Sequence, residues 1–244
     1  MNISAEEFHI HFISYANIPF KAGIYASDLS IDWGDGTSSI LKEKQYFNIV
    51  HHYQQEGLFH IKISGHRISN LNVSRLNLVD LQLEHCPSLE YLNCSINELK
   101  ELDLSSCPAL EELHCNSNNL QTLDLSSNPK LMQLNVSYNL LETLDLSLCP
   151  KLQSLYCSFN HLTSVCLNHC RDILYIDLCN NLLNKEKLLQ IKEKLQGIKI
   201  NKLAQELGVG ELTLKDIIVE LSKPRERSKR RYAKTNFTFG CAKI

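Results

Sequence analysis

No stretch of this 244-residue chain reaches the 18 or so consecutive apolar residues that a membrane-spanning helix requires, so no membrane insertion is expected. The amino terminus, "MNISAEEFHIHFISYANIPFKAG", lacks a basic n-region and a continuous apolar core, so it is not expected to be a secretory signal peptide. With Met1 as the native start, the chain is expected in the cytoplasm; a trimmed start would leave it secreted or at the cell surface. Also missing are a Gly-rich phosphate loop, a nucleophile–base–orienter arrangement and a cysteine quartet with metal-ligand spacing. The expectation is therefore a non-enzyme with no cofactor and no metal.

What is present is an ordinary globular composition, 43% apolar and 21% charged. The formal net charge of −2 hides an asymmetry. Between Ser222 and Lys234 lie seven basic residues (Lys223, Arg225, Arg227, Lys229, Arg230, Arg231 and Lys234) against Glu226 alone, a window of +6 in a chain whose remainder is −8.

An internal repeat organises the middle of the chain. Asn97, Asn118, Asn139, Asn160 and Asn181 are spaced 21 residues apart. Leu89, Leu110, Leu131, Leu152 and Ile173 keep the same period, as do Leu92, Leu113, Leu134, Leu155 and Ile176, and Leu102, Leu123 and Leu144. The unit reads L-x-x-L-x-C-x-x-N-x-L-x-x-L-D-L-S-x-C/N-P-x. Leu92 and Cys94 alternate with Tyr91, Asn93 and Ser95, which predicts a short half-buried strand in each unit. One such coil cannot bury its own leucines. Stacked coils make a continuous core and a parallel ladder with roughly 4.8 Å between strands.

Eight of the ten cysteines fall on this grid. Cys94, Cys115 and Cys157 occupy an inward position that is Val136 and Leu178 in other units, where a free thiol serves as a small apolar side chain. Parallel neighbours are too far apart at Cβ for easy disulfide bridging, and zinc needs four convergent ligands. The third unit lacks both thiols at once, with Asn128 and Val136 in their places.

These units resemble leucine-rich repeats, and more narrowly the 21-residue, cysteine-laddered class of internalin-type bacterial proteins, over roughly residues 68–183. The first unit has Leu76 where Asn is expected. The last has Cys166 for the repeated Asp and Arg171 for the repeated Pro, as suits capping coils. The resemblance implies a right-handed parallel solenoid, mainly β with some α, and protein partners.

Residues 1–65 alternate like strands in "FHIHFISY" and "LFHIKISG" and carry a glycine turn, "WGDGT". Trp33, Gly34, Asp35, Gly36 and Thr37, with the later His52, Tyr53, Gly57 and Phe59, resemble a PKD-type β-sandwich shorter than the full unit. The expected role is an amino-terminal cap, with "ISGHRISNL" running straight into the repeats. Asp32 and Asp35 invite a calcium reading, but turn organisation by Asp35 is favoured. His51, His52 and His60 lack partners at ligand spacing and read as strand histidines.

After the repeats, "KEKLLQIKEKL" (185–195) predicts an amphipathic helix with Leu188, Ile191 and Leu195 on one face. Residues 200–221 carry Ala204, Gly208, Val209, Leu214 and Ile217 at helix-turn-helix spacing, resembling bacterial DNA-binding segments and the small amino-terminal module of bacterial initiation factors. Its second helix would present Thr213, Lys215, Asp216 and Glu220, and the two acids argue against base reading. The domain expectation is a PKD-like cap at 1–65, repeats at 66–183, a helical cap at 184–222 and a basic tail, expected to be disordered, at 223–244.

Function is then expected on the outward strand positions. Tyr91, His114, Tyr138, Tyr156, Phe159, Tyr175 and Asp177 are the candidate binding residues, because exposed tyrosine carries binding energy efficiently. The favoured reading is a non-catalytic protein–protein interaction module. The alternative is a cytosolic nucleic-acid-associated protein using the helix-turn-helix-like segment and the basic tail, whose cations would hold phosphates without choosing sequence.

Overall fold

The computed structural model describes residues 6–14 and 19–195. In chain order the elements are β1 (Glu6–Ser14), β2 (Phe20–Asp32), β3 (Ser38–His51), β4 (Gly57–Asn72), β5 (Leu78–His85), β6 (Tyr91–Asn93), β7 (Glu112–His114), β8 (Gln133–Asn135), β9 (Thr143–Asp145), β10 (Ser154–Tyr156), β11 (Ser164–Cys166), β12 (Tyr175–Asp177) and α1 (Lys185–Leu195).

The repeats form the expected leucine-rich-repeat solenoid. Strands β6, β7, β8, β10 and β12 pair in parallel with an exact 21-residue offset, Leu92 beside Leu113 beside Leu134 beside Leu155 beside Ile176. Every one of these central residues is buried. The opposite wall, built from the "LDLS" runs, pairs only where β9 meets β11. In the other coils it turns without strand pairing. In paired and unpaired coils alike the repeated aspartate closes the turn: Asp103, Asp124 and Asp145 each accept the backbone N–H two residues on.

The repeated asparagine acts as a lateral staple. Asn139 Nδ2 donates to Val136 O in its own coil and to Cys115 O in the coil before, both at 3.0 Å, while its Oδ1 accepts from Leu120 N at 3.0 Å. Asn118, Asn160 and Asn181 repeat the pattern. Each carbonyl such as Cys115 O therefore receives amides from two successive coils, and the chain of bonds runs the length of the stack. Satisfying these inward-turned backbone groups is what lets the corner be buried at all.

The second thiol column, Cys86, Cys107, Asn128, Cys149 and Cys170, explains the anomalous third unit. Asn128 Nδ2 donates to Leu104 O at 3.2 Å and Cys107 O at 2.9 Å. Cys170 Sγ aims at the corresponding pair, Leu146 O at 3.3 Å and Cys149 O at 3.5 Å. Amide and thiol thus perform one task. Burial pushes Cys149 up to about 11 and Cys170 and Cys94 up to about 12, so all three stay protonated at neutral pH and unreactive as nucleophiles. No disulfide joins any two of the nine cysteines of the described residues.

Asn128 has one defect as a substitute: its Oδ1 is buried with no partner. An orphaned buried acceptor costs roughly 1–3 kcal/mol. Asn128→Cys is expected to raise stability by about 1 kcal/mol, the lost amide bonds being offset by release of that oxygen. Chemical denaturation reads the change; a loss of stability instead would contradict this account of the column.

At the amino-terminal end, β4 belongs to two structures at once. Its first half pairs antiparallel with β1, from Glu6 opposite Gly65 to Ser14 opposite Gly57. Its last three residues pair in parallel with β6 as the first rung of the ladder. β2 lies along its other edge and β3 beyond β2, so the amino-terminal strands and the ladder form one ten-stranded sheet. The boundary expected at 65/66 falls inside a continuous strand. Phe8, Ile10, Phe20, Ile24, Ile31, Ile61 and Ile63 are buried and join the leucine core. The buried Glu6 carboxylate accepts the Ile68 N–H where β4 passes from one pairing to the other.

The "WGDG" turn is organised as the aspartate reading expects. Asp35 Oδ1 accepts from Thr37 N and Thr37 Oγ1, and its Oδ2 lies 2.7 Å from His51 Nε2. Burial is the largest single influence and opposes the charge, but the Thr37 and His51 contacts together outweigh it and hold the carboxyl at about 2. His51 stacks on Trp33 at 4.2 Å, and Tyr53 donates to Trp33 O. Gly34, at φ +72°, is required here, since a Cβ would meet His60 O at 2.5 Å.

Helix α1 begins at an asparagine cap: Asn184 Oδ1 accepts from Lys187 N, with Glu186 in the first turn. Ile191 is its buried anchor. No helix among the described residues is long and apolar enough to cross a membrane. The helix-turn-helix-like segment and the basic run lie outside the described residues.

Candidate binding face

Two columns of side chains decide what the ladder face offers. The first is the corner residue just before each staple asparagine: Ile96, Ser117, Tyr138, Phe159 and Asn180, all at φ of 54–58°. Left-handed backbone is uncommon outside glycine, and its recurrence here follows from the turn that sends the next asparagine inward. It also throws the corner side chain outward. Tyr138 and Phe159 consequently stand side by side with ring centroids 4.3 Å apart and planes 8° from parallel. They are 54% and 37% exposed.

The second column is the third residue of each strand: Asn72, Asn93, His114, Asn135, Tyr156 and Asp177. Asn72, Asn93, Asn135 and Asp177 each accept the N–H two residues on, at 3.1–3.2 Å, and so close the strand end. His114 and Tyr156 occupy the same position without that side-chain bond. Local departures from a structural rule are where function is sought. Tyr156 meets Tyr175 of the next coil diagonally, centroids 4.6 Å apart, and Tyr91 meets His114 in the same way at 5.7 Å. Burial pushes the His114 imidazole below its ordinary value, with Glu112 pulling the other way.

The seven expected residues are thus resolved into three ring pairs and one structural carboxylate. Tyr138 and Phe159 are brought together, as are Tyr156 with Tyr175 and Tyr91 with His114. Asp177 is only 7% exposed and is engaged by Cys179 N, so it closes a strand rather than facing a ligand.

Two members of the face escape a reading based on aromatics. Leu140 and Leu182, 38% and 63% exposed, follow the staple asparagine on the outer side of the same edge. Their signal was visible as a column, since the equivalent positions elsewhere are the polar Glu98, Asn119 and His161. Away from the ladder, a cleft of about 300 Å³ opens between α1 and the β9–β11 wall, lined in part by Asp145, Cys166 and Lys187. Among the described residues no three His, Cys, Asp or Glu side chains converge as a metal site.

Comparison with known proteins adds the following. The family model described as the HHH domain matches residues 177–227, from the last strand through α1 and beyond the described residues. No curated protein sequence matches the chain. Among solved structures, LRR protein LIC12759 of Leptospira interrogans is similar at 25% identity over 46% of this chain and 31% of its own, with a TM-score of 0.44. The functional domain of InlJ from Listeria monocytogenes, which includes a cysteine ladder, is 28% identical over 48% of this chain and 31% of its own, TM-score 0.39. YopM from Yersinia enterocolitica WA-314 is 32% identical over 48% and 25%, TM-score 0.42. This chain therefore spans between a quarter and a third of the length of those proteins.

Proposed function

We propose that this chain is a non-catalytic protein-interaction module whose strand-ladder edge captures a protein partner over its last three coils. The observation that carries the reading is the adjacency of two exposed ring pairs, Tyr138 with Phe159 and Tyr156 with Tyr175, on consecutive coils. Rigid rings held on a regular ladder lose little conformational freedom on binding, and tyrosine combines apolar area with a hydroxyl. Leu140 and Leu182 extend the apolar edge, and His114 and Tyr91 mark its amino-terminal continuation. Affinity capture with wild type and with Tyr138→Ala/Tyr156→Ala tests it directly. The amino-terminal strands act as a cap of PKD-like descent, a reading supported by the buttressed Trp33–Gly36 turn.

A second reading is favoured by the family match at 177–227, whose segment ends within the basic run. Under it, residues 200–234 hold nucleic acid through phosphates. A gel shift of DNA by the full chain should then weaken steeply between 50 and 200 mM salt, by an order of magnitude or more. A salt-insensitive or absent shift removes this reading.

A further inference from the structure

The back wall of the solenoid ends on a strand that is paired on one side. It is a two-stranded sheet in which β11 pairs with β9, and among the described residues no strand joins the far edge of β11. Val165, at the centre of β11, is only part-buried, whereas Leu144 beside it in β9 is 2% exposed. The cleft of about 300 Å³ opens here, between this strand pair and α1. Val165 and Ile191 give it an apolar part, and Asp145, Cys166, Lys187 and Gln190 a polar one. Its volume is that of roughly ten waters, enough for a pair of aliphatic side chains.

The chain itself passes this cleft as it leaves the described residues. Helix α1 ends at Leu195, about one helical turn, or roughly 5.4 Å, beyond Ile191. The sequence continues Gln196-Gly197-Ile198-Lys199-Ile200. A glycine two residues past the last helical residue is a common signal for a chain reversal. Ile198 and Ile200 alternate with Lys199, so extended backbone would put both isoleucines on one side. Three extended residues after Gly197 reach about 10 Å, enough to return to the level of Ile191. The family match at 177–227 runs across Leu195, taking α1 and these residues as one unit.

Proximity selects the occupant. A segment tethered to the cleft's own wall by Gln196 and Gly197 has an effective concentration of about millimolar, ahead of a free ligand of similar chemistry. Charge agrees with it. Lys199 and Lys202 accompany the isoleucines, while the back wall carries Asp103, Asp124 and Asp145, one carboxylate per coil, up to the cleft.

We infer that residues 197–200 fold back from the end of α1 and seat Ile198 and Ile200 in this cleft, covering Val165 and Cys166. The segment that leads to the basic run is thereby anchored to the last coils of the stack. This docking is independent of partner capture by the ladder edge.

Cys166 makes it measurable, because it is the one cysteine of the described residues that is not buried. In the full chain carrying Cys241→Ser, iodoacetamide labelling of Cys166 is followed by mass spectrometry. Ile198→Asp/Ile200→Asp should speed that labelling about tenfold, since burying one branched aliphatic side chain is worth at least that factor. A second variant acts from the other side: Ser164→Trp fills the cleft and should speed tryptic cleavage at Lys199 about tenfold. Cys157, fully buried, is the internal standard and stays unlabelled while the solenoid is intact. Where Ser164→Trp exposes Cys157, the isoleucine variant alone decides. Leu148→Ser, exposed on the return side, leaves both rates unchanged. Unaltered Cys166 labelling in the isoleucine variant overturns the docking. So does unaltered cleavage at Lys199 in an intact Ser164→Trp chain, which would mean that the segment is protected without the cleft. Wild-type labelling that slows as protein concentration rises overturns it too, assigning the cleft to a second copy.

Discussion

Asn139→Ala is expected to destabilise the chain by about 3–5 kcal/mol in chemical denaturation, more than any substitution of a leucine-sized surface residue. The side chain is 4% exposed and makes three bonds at 3.0 Å to backbone groups with no access to water. Removing it strands Leu120 N–H outright and takes one donor from each of two carbonyls. Because those groups belong to two different coils, the damage falls on the interface between repeats, where a stacked solenoid stores its stability. Asn181→Ala supplies the internal comparison. That residue makes the same bonds at the last coil but is only part-buried, so water can replace some of them and the loss should be smaller. Asn119→Ala, next to a staple but exposed, should shift stability by less than about 0.5 kcal/mol. Equal effects at Asn139 and Asn119 would dismiss the staple as the feature that joins the coils.

The second large effect is on binding. Tyr138→Ala combined with Tyr156→Ala is expected to reduce partner capture by tenfold or more, since central ring residues of an interface commonly contribute about 2 kcal/mol each. Folding should survive, because both rings lie outside the leucine core. Tyr156→Asn separates function from stability more sharply. Asn at this position accepts the N–H two residues on in three other coils. The substitution should therefore stabilise the coil by about 0.5–1 kcal/mol while weakening capture. A variant that is more stable and binds as well as wild type would show that Tyr156 merely shields the strand edge.

How far these conclusions were legible beforehand differs by feature. The inward leucines, the staple asparagines and the outward columns follow from a 21-residue register combined with strand alternation, and all of them fall where the spacing puts them. The thiol columns were legible as inward positions. Their hydrogen-bonding role was not, because Asn128 and Cys170 look dissimilar until both are seen aimed at the same pair of carbonyls one coil back. Among the histidines, His51 proves to be the partner of Asp35 across 16 residues, a pairing that no ligand-spacing rule would suggest.

By itself, then, the sequence determined the repeating coil, the burial of its leucines and the identity of the residues along each outward column, because a periodic chain writes its local geometry identically in every unit. Tertiary structure alone decided which of those outward residues meet and which stay open. Tyr156 reaches diagonally to Tyr175, Tyr138 stacks on Phe159, and Asp177 is drawn in to close a strand. It also decided that β4 pairs with the amino-terminal strands along one part of its length and with the ladder along another. Those outcomes depend on contacts between coils, where the neighbour lies about 21 residues away or more and its side chain is free to vary while the period is kept.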